Sequence, residues 1–343
     1  MDKKRYIAVA CAAIVVSMPL SAAATNTPAR RAVEADIARL AKDAGGEVGV
    51  FARHTESGLT LSLASDVRFP MASTFKVAVA GAILAKVDAG SLTLAQLVSI
   101  NPERVLMSEG IAEIFPFEGI SVSVHNLIET MLTRSDNTAT NVLTALAGGP
   151  AAVTDWVRTQ GVQDMRVDGD TNDIVRRFFD IPPGPVPLNE QLKSLVATHP
   201  EIDENTTRPN PHYDDDPRDT TTPEAMVALL SRIAAGHVLS PRSTDVLLGA
   251  MQRNITGLKR LRALLPPGTV GKDKTGTIGG TLNDVGIIDL PDGRGHIIVA
   301  VYIKKSPKPF GAREQVIAQI GRSIYDYMLI ESAASQETKH EGH

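Results

Sequence analysis

The chain carries a serine and a lysine whose spacing suits covalent chemistry. Ser73 and Lys76 stand three positions apart at the start of a predicted helix, which puts both side chains on one face. A serine hydroxyl is a weak nucleophile and needs an adjacent base. A lysine can join that network when burial and neighbouring cations favour its neutral amine. The pair therefore predicts a serine that becomes acylated, with the lysine in its proton network.

Two later segments carry side chains of the same kinds. Positions 135–137 read Ser-Asp-Asn between two predicted helices, and positions 274–276 read Lys-Thr-Gly just before a strand pattern. Gly276 would let another stretch of chain approach closely. A Ser-x-x-Lys spacing alone arises about once by chance in a chain of this size, as a surface serine beside an extended lysine. The three segments in this order are far more specific than any one of them.

Strand patterns near both ends and helical patterns between them must position these side chains. The order predicts an α/β layer built from both termini with an all-helical unit inserted. The predicted strands are 47–52, 59–64, 285–290 and 296–304. The predicted helices are 32–44, 75–89, 122–133, 137–147, 151–160, 187–197, 223–235 and 312–330. Positions 168–219 are rich in proline and acidic residues and resist assignment, and we expect the acidic run 214–216 to be a solvated loop.

Composition excludes several classes of function. The net charge of −4 gives no basic field for nucleic acid. The single cysteine, Cys11, falls in the N-terminal segment, which leaves no thiol for a nucleophile, a disulfide or a zinc site. The histidines lack paired metal-binding spacing, and no glycine-rich phosphate loop is present. We therefore expect neither a metal nor a cofactor.

The N-terminal segment has the pattern of an export signal. Basic residues at 3–5 precede an apolar run at 7–20, and alanines at 22–24 suit cleavage after Ala24. The alternative, a membrane anchor, needs about 20 apolar residues, and this run is shorter. The pattern predicts a periplasmic or secreted protein without a stable membrane anchor.

The combined segments resemble those of the class A β-lactamases, which share this trio with penicillin-binding proteins. The resemblance extends over 33–330 and includes the stretches 68–76, 135–141, 148–150, 218–223, 251–257 and 271–277. It implies a three-layer α/β/α fold around an antiparallel sheet, a monomer, and a small β-lactam as the substrate. The α/β part would be about 25–70 and 253–335, the helical insertion 71–252, and the disordered tail 336–343.

The resemblance also implies catalytic roles. Ser73 would attack the lactam carbonyl, with Lys76 in its proton network. Ser135 would pass a proton to the lactam nitrogen as the ring opens. The backbone N–H groups of Ser73 and Thr277 would form the oxyanion hole, because donors must point to where negative charge develops.

Substrate binding is implied for a second group of side chains. Asn137 would hold the substrate's amide side chain together with Lys76, and the substrate carboxylate would meet Lys274, Thr275 and Thr277. Arg260 occupies a position that supplies a guanidinium to that carboxylate in some family members, while Leu282 stands where others carry an arginine. The alternative for Arg260 is an exposed surface arginine.

The family's Glu-x-x-x-Asn element, whose glutamate activates the deacylating water, is out of its usual register. Aligned from 166–168, Thr171 stands at the glutamate; aligned back from Asp219, Thr206 does, and an alignment on 188–190 puts Pro185 there. The stretch 201–205 fits the spacing and makes Glu201 the candidate base. The alternatives are Asp170, Asp173 and Glu204, or loop carboxylates that do no chemistry, in which case the acyl-enzyme would be long-lived.

Two other functions remain open from the sequence. A D-Ala-D-Ala peptidase would share the acylation chemistry. A penicillin-binding protein that is acylated with slow or no turnover would match the displaced glutamate element.

Overall fold

The computed structural model describes residues 27–108, 110–199 and 207–340, with side chains up to Ser332. The predicted signal segment with Cys11, and the candidate bases Glu201 and Glu204, lie outside the described residues. The strands are β1 (Glu47–His54), β2 (Thr60–Leu63), β3 (Phe69–Pro70), β4 (Leu97–Ser99), β5 (Ser121–Ser123), β6 (Thr220–Thr221), β7 (Gly271–Ile278), β8 (Thr281–Asp289) and β9 (His296–Lys304).

The α-helices follow the alternation of apolar and polar residues along the chain. They are α1 (Pro28–Asp43), α2 (Lys76–Asp88), α3 (Ile111–Ile114), α4 (Val124–Thr133), α5 (Asn137–Ala147), α6 (Pro150–Thr159), α7 (Thr171–Phe178), α8 (Leu188–Thr198), α9 (Pro211–Asp214), α10 (Pro223–Ala234), α11 (Pro241–Gln252) and α12 (Phe310–His340). None of the helices in the described ranges is long and apolar enough to span a bilayer.

A five-stranded antiparallel sheet, in the order β2-β1-β9-β8-β7, joins the two ends of the chain. Apolar side chains of α1 and α12 pack on one face of the sheet, where Ile37, Ile320 and Val50 belong to one buried cluster. The helical unit and α10 pack on the other face. The predicted three-layer fold, built from both ends around a helical insertion, is confirmed.

Helix α2 is the centre of the helical unit. Its residues from Lys76 to Leu84 are all buried, which explains why this segment is apolar all round and has no polar stripe. Gly81 lets the Trp156 ring lie against the helix, since a Cβ there would come within 2.2 Å of that ring. The N-terminus of α2, which carries the Ser-x-x-Lys segment, is therefore held on a rigid buried element.

Several predicted boundaries were wrong. The Lys-Thr-Gly segment precedes the expected strand but itself lies within the edge strand β7, which was not predicted, and β8 begins at Thr281, four residues before the predicted strand start. Helices α7 and α11 were not predicted. Helix α12 continues to His340, into the segment that we expected to be disordered.

Candidate active site

The candidate nucleophile lies on a strained turn that leads into the buried helix. Ser73 is part of a 3₁₀ turn, Ala72–Phe75, and α2 begins directly after it at Lys76. Ala72 has φ 44°, in the left-handed region that non-glycine residues rarely adopt. Ser73 is half-buried while both its neighbours are buried. The turn therefore exposes the serine of an otherwise enclosed segment, as strained backbone often does at functional sites.

The amine of Lys76 connects the first segment to the second. Its Nζ donates to the backbone oxygen of Ser135 at 2.6 Å, to Ser135 Oγ at 3.1 Å and to Asn137 Oδ1 at 2.9 Å. Ser135 has φ 57°, a second strained non-glycine position. The side chain of Lys76 is fully buried, so these contacts take the place of water around the amine.

The amine of Lys274 brings in the third segment. Its Nζ donates to Ser135 Oγ at 2.9 Å and to the backbone oxygen of Thr275 at 2.8 Å. Ser135 Oγ thus accepts from two lysine amines that are 198 positions apart in sequence, Lys76 and Lys274. The convergence of the three segments that the sequence analysis singled out is therefore present in the folded chain.

Strand β7 lies directly against the serine turn. A Cβ at Gly276 would come within 2.5 Å of the Met71 backbone oxygen, so only glycine permits this approach. Asn283, on β8, donates from Nδ2 to the backbone oxygens of Pro70 and Met71 at 2.9 and 3.0 Å. Sequence reasoning missed Asn283, because a buried asparagine inside a strand gives no signal of the turn that it holds.

Asp136 fixes the loop on the other side of the cleft. Its Oδ1 accepts from Ala139 N at 2.5 Å and caps α5, while its Oδ2 accepts from Ile111 N at 2.7 Å. Ser108, also missed from the sequence, accepts from Asn137 N at 3.1 Å through its Oγ. The middle residue of the Ser-Asp-Asn segment is thus a structural clamp between α5 and the loop that precedes α3.

Burial weakens the charged forms of both lysines. It holds the pKa of Lys76 well below its usual range, the charge of Lys274 lowers it further, and Asp136 opposes the shift. Burial also lowers the pKa of Lys274 to about 7, against the opposing charge of Asp273. A lysine with a lowered pKa can carry a neutral amine, which is able to accept a proton. An ordinary surface lysine is protonated and cannot accept one.

Arg260 lies beneath the end of β7. Its guanidinium donates to Thr277 Oγ1 at 2.8 Å and to the backbone oxygens of Gly276 and Asn283, with Glu314 beside it at 3.4 Å. It is 3% exposed, so the alternative of a surface arginine is wrong. The guanidinium reaches Thr277 from the loop before β7.

Two other side chains at β7 complete that edge. Thr275 Oγ1 lies 2.6 Å from Thr256 Oγ1, which ties it to the same loop. Leu282, at the position where relatives carry an arginine, is fully buried in the core opposite Thr277. Thr277 itself is exposed on the edge strand β7.

The start of α7 lies one helical turn from the catalytic segment. Asn141 follows Asn137 by four residues on α5, and its Oδ1 accepts from Thr171 N at 2.9 Å. Its Nδ2 donates to Asn172 Oδ1 at 2.9 Å. The buried hydroxyl of Thr171 has no hydrogen-bond partner among the described residues. The start of α7 is therefore tied to α5 through Asn141, with the Thr171 hydroxyl buried at this contact.

Two of the alternative bases have structural tasks. Asp170 and Asp173 cap each other's backbone N–H groups at the start of α7, each at 3.1 Å. The second oxygen of Asp170 accepts from Arg104 at 3.1 Å. Burial raises the pKa of Asp170, and the charge of Asp173 adds to that shift. Both carboxylates thus take part in the capping of α7.

The rest of the enlarged loop is anchored by ion pairs. Arg177 pairs with Asp219 and lies 3.6 Å from Asp216, and both carboxylates are largely buried. Asp214 is 2% exposed and accepts from Thr281 at 3.1 Å. The expectation that 214–216 forms a solvated loop was wrong for Asp214 and Asp216, because their carboxylates fix the loop to the body of the protein, whereas Asp215 is exposed.

The comparisons with known proteins agree with this geometry. The model of a family described as "Beta-lactamase enzyme family" matches residues 32–328. A curated imipenem-hydrolysing β-lactamase of Enterobacter cloacae is 31% identical over 294 residues, which cover 85% of this chain and 88% of that protein.

Two solved structures extend the likeness to the whole fold. An ancestral class A β-lactamase is 36% identical, with a TM-score of 0.70 over 86% of this chain and 99% of that one. A β-lactamase from Chitinophaga pinensis is 30% identical, with a TM-score of 0.70 over 86% and 98%. From its three converging segments, its fold and these matches, the chain belongs to the class A β-lactamases, serine hydrolases that open β-lactams.

Proposed function

We propose that the chain hydrolyses β-lactams through an acyl-enzyme on Ser73, with Lys76 and Ser135 moving the protons. One observation carries this proposal: Ser135 Oγ lies within hydrogen-bonding distance of both Lys76 Nζ and Lys274 Nζ. A hydroxyl between two amines, one of them with a strongly lowered pKa, can relay a proton in either direction.

The acylation step uses groups that the fold already holds in place. The neutral amine of Lys76 accepts the proton of Ser73 Oγ as that oxygen bonds to the lactam carbonyl carbon. The backbone N–H groups of Ser73 and Thr277 stabilise the oxyanion. When the C–N bond breaks, Ser135 gives its proton to the lactam nitrogen and regains one from Lys76. The products of this step are an ester on Ser73 and an opened ring.

Binding groups surround these atoms. Lys274, Thr275 and Thr277 take the substrate's carboxylate at the edge of β7, and Arg260 supports them through its hydrogen bond to Thr277 Oγ1. Asn137 holds the substrate's amide side chain, with its own Oδ1 fixed by Lys76. The substrate is thereby held across the cleft between α5 and β7.

Hydrolysis of the ester needs a base for water, and Glu201 is our candidate. It fits the family's spacing to Asn205, whereas Asp170 and Asp173 are occupied at the helix cap. The change Glu201→Gln should slow deacylation by about 10²-fold or more, with Glu204→Gln as the matched control. Equal effects of the two changes, or no effect of either, would remove Glu201 from this role.

A second candidate function is acylation with slow or no turnover. The observation that favours it is Thr171, which the alignment from 166–168 puts at the glutamate position and whose hydroxyl cannot act as a base at neutral pH. Turnover of a chromogenic cephalosporin, a penicillin and imipenem, followed beside intact-mass detection of the adduct, separates the two. Fast turnover eliminates the second candidate, and cleavage of a D-Ala-D-Ala peptide without lactam turnover eliminates the first.

The change Ser73→Ala tests the nucleophile directly. No covalent penicillin adduct should form on this variant, and the wild type should gain the mass of one penicillin during turnover. An adduct of the same mass on the variant would contradict the role of Ser73.

We also propose export, with cleavage after Ala24, and a monomeric mature enzyme. The support for export is the basic, apolar and small-residue pattern of positions 3–24. N-terminal sequencing of the protein from a periplasmic fraction, with its mass in solution, tests both statements.

A further inference from the structure

Two carboxyl groups lie buried behind the strand that carries Lys274. Asp273 is on β7 and Asp284 on β8, and they are 2% and 0% exposed. Side chains alternate along a strand, so Asp273 and Thr275 share one face of β7, and Asp284 pairs with Thr275 across the ladder. The two carboxyl groups therefore lie on one side of β7, while Lys274 reaches Ser135 from the other.

Each of these carboxyl groups has one satisfied oxygen and one without a donor. Asp273 Oδ2 accepts from Asn254 at 3.0 Å, and Asp284 Oδ2 accepts from Leu261 N at 3.1 Å. Both Oδ1 atoms are buried without a hydrogen-bond donor. The Nε of Arg262 lies 2.7 Å from Asp273 Oδ1 as an ion pair, without the alignment of a hydrogen bond.

One proton shared by the two carboxyl groups accounts for the two Oδ1 atoms that have no other donor. Asp273 pairs with Gly286 and Asp284 pairs with Thr275, so the two carboxyl groups are diagonal neighbours on one face of the ladder. Two neighbouring buried carboxylates cannot both stay ionised, since each disfavours the charge of the other. Arg262 stabilises the ionised form of Asp273, whereas the Oδ2 of Asp284 has a backbone N–H as its partner. Burial raises the pKa of Asp284 well above its usual range, and the charge of Asp273 adds to that shift.

The proton on Asp284 changes the net charge of the buried cluster that surrounds Lys274. The cations of this cluster are Lys274 on β7, Arg260 and Arg262 on the preceding loop and Arg313 on α12; the anions are Asp273 on β7 and Glu314 on α12. With Asp284 neutral, the cations outnumber the anions, and positive charge is left for an anionic ligand. With Asp284 ionised, that surplus would be smaller by one charge.

We propose that Asp284 is a neutral carboxylic acid that shares its proton with Asp273, so that the buried cluster keeps the positive charge that the substrate's carboxylate neutralises on binding. Asp284 is thus a positioning residue that acts through Lys274. The functional consequence rests on the proposed role of Lys274, while the protonation state can be tested without any turnover.

The pH dependence of protein stability tests whether Asp284 is neutral, because a neutral and an ionised carboxyl group change the stability in opposite directions as the pH rises. A carboxyl group with a raised pKa in the folded state keeps its full stabilising contribution below the unfolded pKa, and loses it as the pH rises toward the folded pKa. The changes Asp284→Asn and Asp284→Ala remove this titration. Relative to the wild type, the unfolding equilibrium constant of either variant should fall up to tenfold per pH unit between the unfolded pKa and neutral pH. The alanine variant leaves a cavity, but that cost does not depend on pH.

Glu129→Gln is the matched control. The hydrogen bond from Arg253 holds the pKa of Glu129 below its usual range, so this variant should lose stability relative to the wild type as pH rises through the unfolded pKa. The proposal predicts opposite trends for the two positions. A flat trend, or one of the same sign as that of Glu129→Gln, at position 284 would overturn it.

Two further measurements address the proton and the site. The infrared difference between the wild type and Asp284→Asn at neutral pH should show the carbonyl band of a protonated carboxylic acid in the wild type; its absence would overturn the proposal. The alkaline limb of kcat/KM should stay at the same pH in Asp284→Asn. Removal of an ionised carboxylate would instead lower the pKa of Lys274 and shift that limb to lower pH, which would also contradict the proposal.

Discussion

The two halves of the catalytic cycle are carried by regions of very different construction. The acylation region joins three segments on α2, α5 and β7, and its polar atoms meet at Ser135 Oγ between two buried amines. We assign deacylation to the enlarged loop between Arg166 and Asp219. Several of its described carboxylates cap helices or pair with arginines, and Thr171 lies at its point of contact with α5.

The difference shows what each half of the reaction requires. Acylation needs several groups at fixed mutual distances, so it depends on rigid elements whose spacing tolerates no insertion. Deacylation needs one base and one water, and a long loop can supply the base from different positions along the chain. The loop can therefore be enlarged while the other half keeps its arrangement.

The largest expected effect comes from removing the amine of the acylation region. Lys76→Met should slow acylation by about 10³–10⁴-fold, because Ser73 loses its proton acceptor and Ser135 loses a partner. Stopped-flow acylation rates with a chromogenic cephalosporin measure this loss. The hydrolysis rate of preformed acyl-enzyme should change much less, and an equal loss in both steps would break the division between the two regions.

The loop should depend on its anchor more than on its surface charges. Arg177→Met leaves the buried Asp219 without its partner and should reduce the free energy of unfolding by about 3–5 kcal/mol. The control is Arg68→Met, whose pair with Asp164 is exposed on both sides and should cost at most about 1 kcal/mol. Chemical denaturation measures both, and equal losses would show that the buried pair is not a special anchor.

The sequence predicted the acylation region well, because its reactive residues are close in sequence and because regular helices and strands hold them. Ser73 and Lys76 are close in sequence, and α5 was predicted with the bounds that the structure has. The sheet and its layers followed from apolar periodicity. Lys274 was found from its motif, although β7 itself was not predicted because its polar residues hide the strand pattern.

The loop could not be predicted, because its residues act through partners that are far away in sequence. Asp214 looked like a solvated charge, yet it is buried against Thr281. Asp170 looked like a candidate base, yet it caps α7 and pairs with Arg104. Such roles depend on the path of the loop, and neither composition nor spacing records that path.

A carboxylate introduced at position 171, where the loop contacts α5, tests whether this part of the loop faces the ester. If Thr171 occupies the family's glutamate position, Thr171→Glu should place a base near the ester and raise the rate of deacylation by about 10–100-fold when the acyl-enzyme accumulates. Thr171→Gln is the matched control, with similar size and no basic carboxylate. Single-turnover decay of the adduct by intact mass measures the rate. Equal rates in both variants would mean that position 171 does not face the ester.

The smallest expected effect is a pH dependence that belongs to the acylation region alone. Lys274 must carry its charge to attract the substrate's carboxylate, and its pKa of about 7 in the free enzyme means that the charge is lost as pH rises through neutrality. kcat/KM should therefore fall about tenfold per pH unit above that pKa. kcat should hold to higher pH, because the bound carboxylate raises the pKa of Lys274 in the complex. Lys274→Arg keeps a permanent charge and should flatten the alkaline limb. If the alkaline decrease of kcat/KM persists in this variant, another group must be responsible for the titration. If the same decrease is seen in the deacylation rate constant, the titrating group belongs to the loop.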